Sequence, residues 1–89
     1  MEKSSNFTLN YNLFEGNNVS YTGGGFHLSE VKNGIIFKNT LIKNKSLSHG
    51  GGYAILRSSN VTLIDNKILN NFSKIIGGGG YIGHCNNIF

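Results

Sequence analysis

The chain has 89 residues, 13% of them charged, and eight Lys and Arg against four Asp and Glu give a formal net charge of +4. That length makes one domain, residues 1–89, the only sensible count, and the basic residues Lys3, Lys32, Lys38, Lys43, Lys45, Arg57, Lys67 and Lys74 are too scattered for the clustered footprint that nucleic-acid binding needs. The lone Cys85 excludes an intrachain disulfide, no apolar run reaches the length of a membrane span, and the first residues lack the apolar core of a secretory signal.

A repeat governs the rest of the chain. Asn6 opens it, followed by Thr8 and Leu9 on opposite sides of an expected strand, with Leu9 turned inward. Asn12, Phe14 and Asn17 come next, and six residues after Asn17 the triplet Gly23-Gly24-Gly25 leads into Phe26, His27 and Leu28. The same order returns at a spacing of 27 residues without an insertion, as Asn33, Ile36, Asn39, Leu41, Asn44 and Gly50-Gly51-Gly52. It returns again as Asn60, Leu63, Asn66, Ile68, Asn71 and Gly77-Gly78-Gly79, and Asn87 falls in phase for a further pass. A fixed period with amides and glycines at constant phase marks a solenoid, in which each repeat is one turn of a stacked coil.

Within one repeat, Tyr53–Leu56, Val61–Ile64 and Ile68–Leu69 read as strands, because each is short, rich in β-branched or aromatic types, and bounded by Gly, Ser or Asn. No segment carries an apolar 3.6-residue pattern long enough for a helix. The expectation is an all-β parallel β-helix of about three coils, three short strands per coil, each strand pairing with its counterpart one turn away at about 4.8 Å. The columns Leu9/Ile36/Leu63, Phe14/Leu41/Ile68 and Leu28/Ile55/Ile82 supply its walls. Asn6/Asn33/Asn60/Asn87, Asn12/Asn39/Asn66 and Asn17/Asn44/Asn71 are expected at corners, in the left-handed conformation, as amide ladders bonded along the stack. The glycine triplets predict a tight bend or a close approach of backbones. Both ends of the chain fall inside a coil, so a segment of a longer array is expected, with a tendency to associate end to end.

Candidate chemistry is sparse. Only Glu2, Glu15, Glu30 and Asp65 are acidic and no two share a column, which argues against the paired carboxylates of a glycosidase. The column Glu30/Arg57/His84 is the most polar, and its plain reading is an exposed cross-strand ion pair between Glu30 and Arg57. His27, Ala54 and Tyr81 share a phase opposite to the inward Leu28, so His27 and Tyr81 are candidates for a solvent-facing binding surface. His27, His49 and His84 occupy unrelated phases, so neither a metal nor another cofactor is expected. Of five Asn-x-Ser/Thr sequons, at Asn6, Asn18, Asn44, Asn60 and Asn71, four use ladder residues, and a buried ladder amide cannot carry a sugar. A leucine-rich repeat is the structural rival, from Phe7-Thr8-Leu9-Asn10-Tyr11-Asn12, but it calls for a helix where this chain has Gly-Gly-Gly and another strand.

Phe14-Glu15-Gly16-Asn17 followed by Gly23-Gly24-Gly25-Phe26 resembles the paired FxxN and GG[AGS][ILVY] motifs of polymorphic outer-membrane proteins and adhesin-like β-helix proteins, within the pectin-lyase-like superfamily. The later copies keep the spacing with Leu41 and Ile68 in place of Phe14, and the third has Gly80 where an apolar residue is expected, with Tyr81 a candidate to take its role. The resemblance implies a right-handed parallel β-helix on a cell surface or in a secreted protein. It implies a structural or binding segment without catalysis, whose partners are a carbohydrate or a host or cell-surface protein and not nucleic acid. The alternative is a fragment of a carbohydrate-active β-helix enzyme.

Overall fold

The structure, a computed structural model, describes Lys3 and residues 5–88, with the side chain of Asn87 outside the described set. The first coil holds β1 (Thr8–Asn10), β2 (Leu13–Glu15), β3 (Asn18–Val19) and β4 (Phe26–Ser29). The second holds β5 (Lys32–Phe37), β6 (Thr40–Ile42), β7 (Lys45–Ser46) and β8 (Tyr53–Leu56). The third holds β9 (Ser59–Ile64), β10 (Lys67–Leu69), β11 (Phe72–Ser73) and β12 (Gly80–Gly83), and β13 (Asn86–Ile88) follows. Four parallel sheets result, in the orders β1-β5-β9-β13, β2-β6-β10, β3-β7-β11 and β4-β8-β12. Thr8 stands opposite Ile35 and Ile35 opposite Thr62, so one register holds from coil to coil and the architecture is consistent with a parallel β-helix. Among the described residues no helix forms, which leaves a leucine-rich repeat without its helical half, and none is long and apolar enough to cross a membrane.

Each coil therefore has four strands rather than three. The additional ones, β3, β7 and β11, are two residues long and turn Val19, Ser46 and Ser73 to the same phase. A single inward position, twice a serine, gives no alternation from which a strand can be read. The Ser46 hydroxyl is fully buried and has no hydrogen-bond partner.

Leu28, Val31, Ile36, Ile55 and Val61 form the buried core, with Phe7, Leu9, Phe26, Tyr53, Leu63, Cys85 and Ile88 packed around them. Leu41, on β6, is 1% exposed, whereas Ile82, expected in the same wall as Ile55, is 42% exposed on the outermost strand of its sheet. Burial in a stack comes from the neighbour on each side, and among the described strands Ile82 has one on one side only, whereas Leu28, on the opposite outer strand, is enclosed by the core cluster at 2% exposure. Phe26 stacks on Tyr53 with ring centroids 5.5 Å apart, and Phe14 leans on Phe26 at 5.5 Å. Tyr53 stays in register with Gly80, and a Cβ on Gly80 would meet the Tyr53 ring. Tyr81 therefore does not shift into the apolar position, because the glycine is the floor that lets the Tyr53 ring lie flat. Gly34 does the same for the ring of Phe7.

The corners differ from expectation. Asn6, Asn33 and Asn60 do take positive φ, near 55°, but the Asn12 and Asn17 columns do not. There the preceding residue is left-handed: Tyr11, Lys38 and Asp65 in one column, Gly16, Lys43 and Asn70 in the other. The turn at that residue swings the following amide inward, where it bonds along the stack. The main-chain N–H and the Nδ2 of Asn12 both donate to Asn39 Oδ1 (3.0 Å each), and the main-chain N–H of Asn39 donates to Asn66 Oδ1 (2.9 Å). The Nδ2 of Asn39 also donates back to the Leu9 carbonyl (2.8 Å). Asn17, Asn44 and Asn71 repeat the pattern. A third ladder has the same build with shorter side chains: after left-handed Glu30, Arg57 and His84, the Val31 N–H donates to Ser58 Oγ (3.1 Å) and the Ser58 N–H to Cys85 Sγ (3.4 Å). The glycine triplets divide their labour. Gly23, Gly50 and Gly77 have φ near 70°, while a Cβ on Gly24 or Gly25 would collide with the carbonyls of Gly51 or Gly52 in the next coil.

Candidate functional site

The framework leaves the outward columns as the places where chemistry can vary. On the β4-β8-β12 sheet the expected solvent face is covered. Ala54 is fully buried, because the glycine turns carry the preceding loop back over this face: a Cβ on Gly50 would stand against the Ala54 side chain. Thr22 Oγ1 and His27 Nδ1 share a 2.7 Å hydrogen bond, Ser48 Oγ and His49 Nδ1 one of 2.8 Å, and the His49 ring lies 4.7 Å from that of Tyr81. His27 and Tyr81 are thus half-buried members of a packed outer layer, not an open binding face. Burial also raises the pKa of the Tyr53 hydroxyl above the ordinary tyrosine value, since it penalises the phenolate.

At the corner between the β4-β8-β12 and β1-β5-β9-β13 sheets, Glu30, Arg57 and His84 are exposed and left-handed, one above another. The expected ion pair is absent: among the described residues Arg57 donates from Nη2 to Ser29 Oγ at 3.5 Å, and no salt bridge joins it to Glu30. Arg57 instead shares an open hollow of about 480 Å³ with Lys3, Ser5, Glu30 and Lys32. Lys3 and Arg57 belong to the corner column, whereas Ser5 and Lys32 pair in the column two residues further along. Three cations thus converge on one hollow with a single carboxylate, although the basic residues look scattered in the sequence. A smaller hollow of about 310 Å³ is lined by Lys38, Asn39, Thr40, Asp65 and Lys67.

Neither the family models, nor the curated proteins, nor the solved structures include a match to this chain.

The remaining candidates sort by position. Among the described residues no group of three or more His, Cys, Asp and Glu could hold a metal ion. Cys85 is a free thiol, partly buried, whose single S–H has the Gly83 and Ile55 carbonyls within reach as acceptors (3.2 and 3.4 Å), so its place is in the third ladder. The sequon residues Asn6, Asn18 and Asn60 are exposed, Asn71 is partly buried and Asn44 is buried. The premise that ladder amides are buried thus fails for the Asn6/Asn33/Asn60 column, where Asn60 Nδ2 donates to Asn33 Oδ1 (3.1 Å) on the surface. Asn87 belongs to that column by phase, and its side chain lies outside the described set.

What sequence reasoning missed is the Lys3, Ser5 and Lys32 group. Single columns were the unit of inference, and this group spans two columns on either side of one inward residue, Val31. The signal was available as cations one place either side of the small-residue ladder column.

Proposed function

We propose that the chain is a segment of a right-handed parallel β-helix belonging to an adhesin-like protein at a cell surface or in a secreted location, and that it serves as a binding scaffold without catalysis of its own. The observation that carries this reading is the division between repeated and varied positions. The Asn12/Asn39/Asn66 and Asn17/Asn44/Asn71 side chains, which repeat, are bonded coil to coil. The residues that change between coils, such as Glu30, Arg57 and His84, stand exposed at a corner. An invariant frame with a variable outer surface suits recognition over an extended area, as in other stacked repeats. The resemblance of the Phe14 to Asn17 and Gly23 to Phe26 segments to adhesin-like motifs supports the same assignment, including its handedness.

Incubation of the purified chain with acidic and neutral plant and bacterial polysaccharides is the direct test. The expected result is retention of an unaltered polysaccharide, or none at all. Release of reducing ends or of unsaturated uronate products, abolished by Glu30→Gln or Arg57→Ala, would overturn the non-catalytic reading and favour the enzyme alternative.

A further inference from the structure

We propose that the hollow formed by Lys3, Ser5, Glu30, Lys32 and Arg57 is a binding site for an acidic glycan, a chain carrying sulfate or carboxylate groups together with free hydroxyls, lying along the stack. This deepens the scaffold reading and rests on it. The cations are distributed one per coil: Lys3 on the first, Lys32 on the second and Arg57 on the third. Stacked parallel strands repeat at about 4.8 Å, so Lys3 and Arg57 stand two coil rises, about 10 Å, apart along the axis. A polymer with an anionic group on successive units meets such a row without bending, and the hollow of about 480 Å³ admits a few sugar units.

The lining distinguishes among polyanions. Bases of a single-stranded nucleic acid need aromatic side chains on which to stack, and none of the five lining residues is aromatic. Glu30 is an acceptor that a chain of phosphodiesters cannot satisfy, but sugar hydroxyls can donate to it, and Ser5 can serve either as donor or acceptor. Arg57 is held beside the hollow by its 3.5 Å contact with Ser29 Oγ, which lowers the entropy lost when the guanidinium engages an anion. Glu30 and Arg57 do not neutralise each other through a salt bridge, so both remain available to a ligand.

The experiment is titration of the full chain, by calorimetry at low salt, with a sulfated heparin-derived oligosaccharide, a carboxylate-only oligouronate, a neutral oligosaccharide of equal length and a single-stranded oligonucleotide. The expected result is binding of either acidic oligosaccharide or of both, with the better one identifying sulfate or carboxylate as the group read, and none of the neutral one. Lys32→Ala and Arg57→Ala should each weaken it about threefold to fivefold and together by about tenfold or more, as exposed charge contacts do. Lys74→Ala, away from the hollow, should leave it unchanged, and circular dichroism of each variant checks that the fold survives. Equal binding of the oligonucleotide, equal loss in Lys74→Ala, binding of the neutral sugar, or no binding at all would overturn the proposal. Scaffold failure has a different signature: if the acidic oligosaccharide binds at Lys32 and Arg57 but is cleaved, the site stands and the non-catalytic reading falls.

Discussion

Replacing Asn44 by alanine isolates what one rung of a ladder contributes. Asn44 is 1% exposed, and its amide makes four bonds at once. Its Oδ1 accepts from the N–H and Nδ2 of Asn17 (3.1 and 2.9 Å), and its Nδ2 donates to the Phe14 carbonyl and to Asn71 Oδ1 (2.8 and 3.0 Å). Asn44→Ala therefore leaves the Asn17 N–H without its partner and takes from the Phe14 carbonyl, which lies in the β2–β6 ladder, its side-chain donor. An unsatisfied buried group costs about 1–3 kcal/mol. Taking the low end for Asn17, whose exposed coil admits water, and about 1 kcal/mol for each of the two bonds lost from the buried Nδ2 gives a loss of about 3 kcal/mol before any cavity is counted. Asn17→Ala deletes the same side chain one coil earlier, where it is exposed, yet removes only one bond, so about 0.5–1 kcal/mol is expected. In urea, with a slope of about 1 kcal/mol per molar for a protein of this size, the midpoint should fall by about 3 M for Asn44→Ala and by under about 1 M for Asn17→Ala. Equilibrium unfolding followed by circular dichroism measures both. Equal midpoints for the two variants would refute the claim that satisfaction of main-chain groups, rather than amide content, holds the coils together.

Three further outcomes follow from the same geometry. Gly51→Ala should destabilise by about 2–3 kcal/mol or more, since its Cβ meets the carbonyls of Gly78 and Phe72, whereas Gly78→Ala meets only the Asn71 carbonyl at 3.3 Å and should cost under about 1 kcal/mol; thermal melts of the pair decide it. Ser46→Ala removes a buried hydroxyl that has no partner and should raise stability by about 1 kcal/mol, read as a higher urea midpoint, with a lower one arguing that the hydroxyl is satisfied. Burial raises the Tyr53 pKa, so the unfolded chain releases this proton first, at about pH 10, and stability should fall as pH rises from there toward the folded value. Tyr53→Phe should remove that part of the alkaline loss, and an unchanged slope of stability against pH would contradict the assignment.

The period, the apolar walls and the asparagine ladders were legible because each rests on one residue type held at one phase. Asn39 and Asn44 advertise themselves, since few side chains can donate and accept along a stack at once. The corners outside the Asn6/Asn33/Asn60 column were not legible. Lys38, Lys43, Arg57 and Glu30 are left-handed, yet nothing in their side chains favours that conformation. They adopt it because the residue that follows bonds inward across coils, so the neighbour determines the backbone and the propensity of the turning residue is overruled. The same cause hid the third ladder, whose Val31, Ser58 and Cys85 share geometry without sharing chemistry. The covered face over Ala54 was missed because alternation within a strand says which side faces the core but not what a glycine turn folds back over the other side.

The bonds from main-chain N–H to side-chain oxygen in the two buried asparagine ladders run in one sense. Each main-chain N–H donates toward the coil that follows, from Asn12 to Asn39 to Asn66 and from Asn17 to Asn44 to Asn71. The stack is therefore polar, with a donor side and an acceptor side that are chemically unlike. A two-fold axis would set like groups against like, so the ladders cannot be continued by an isologous pair. A surface that extends them must join in a head-to-tail sense, presenting side-chain oxygens to the donor side or N–H groups to the acceptor side at the same two phases.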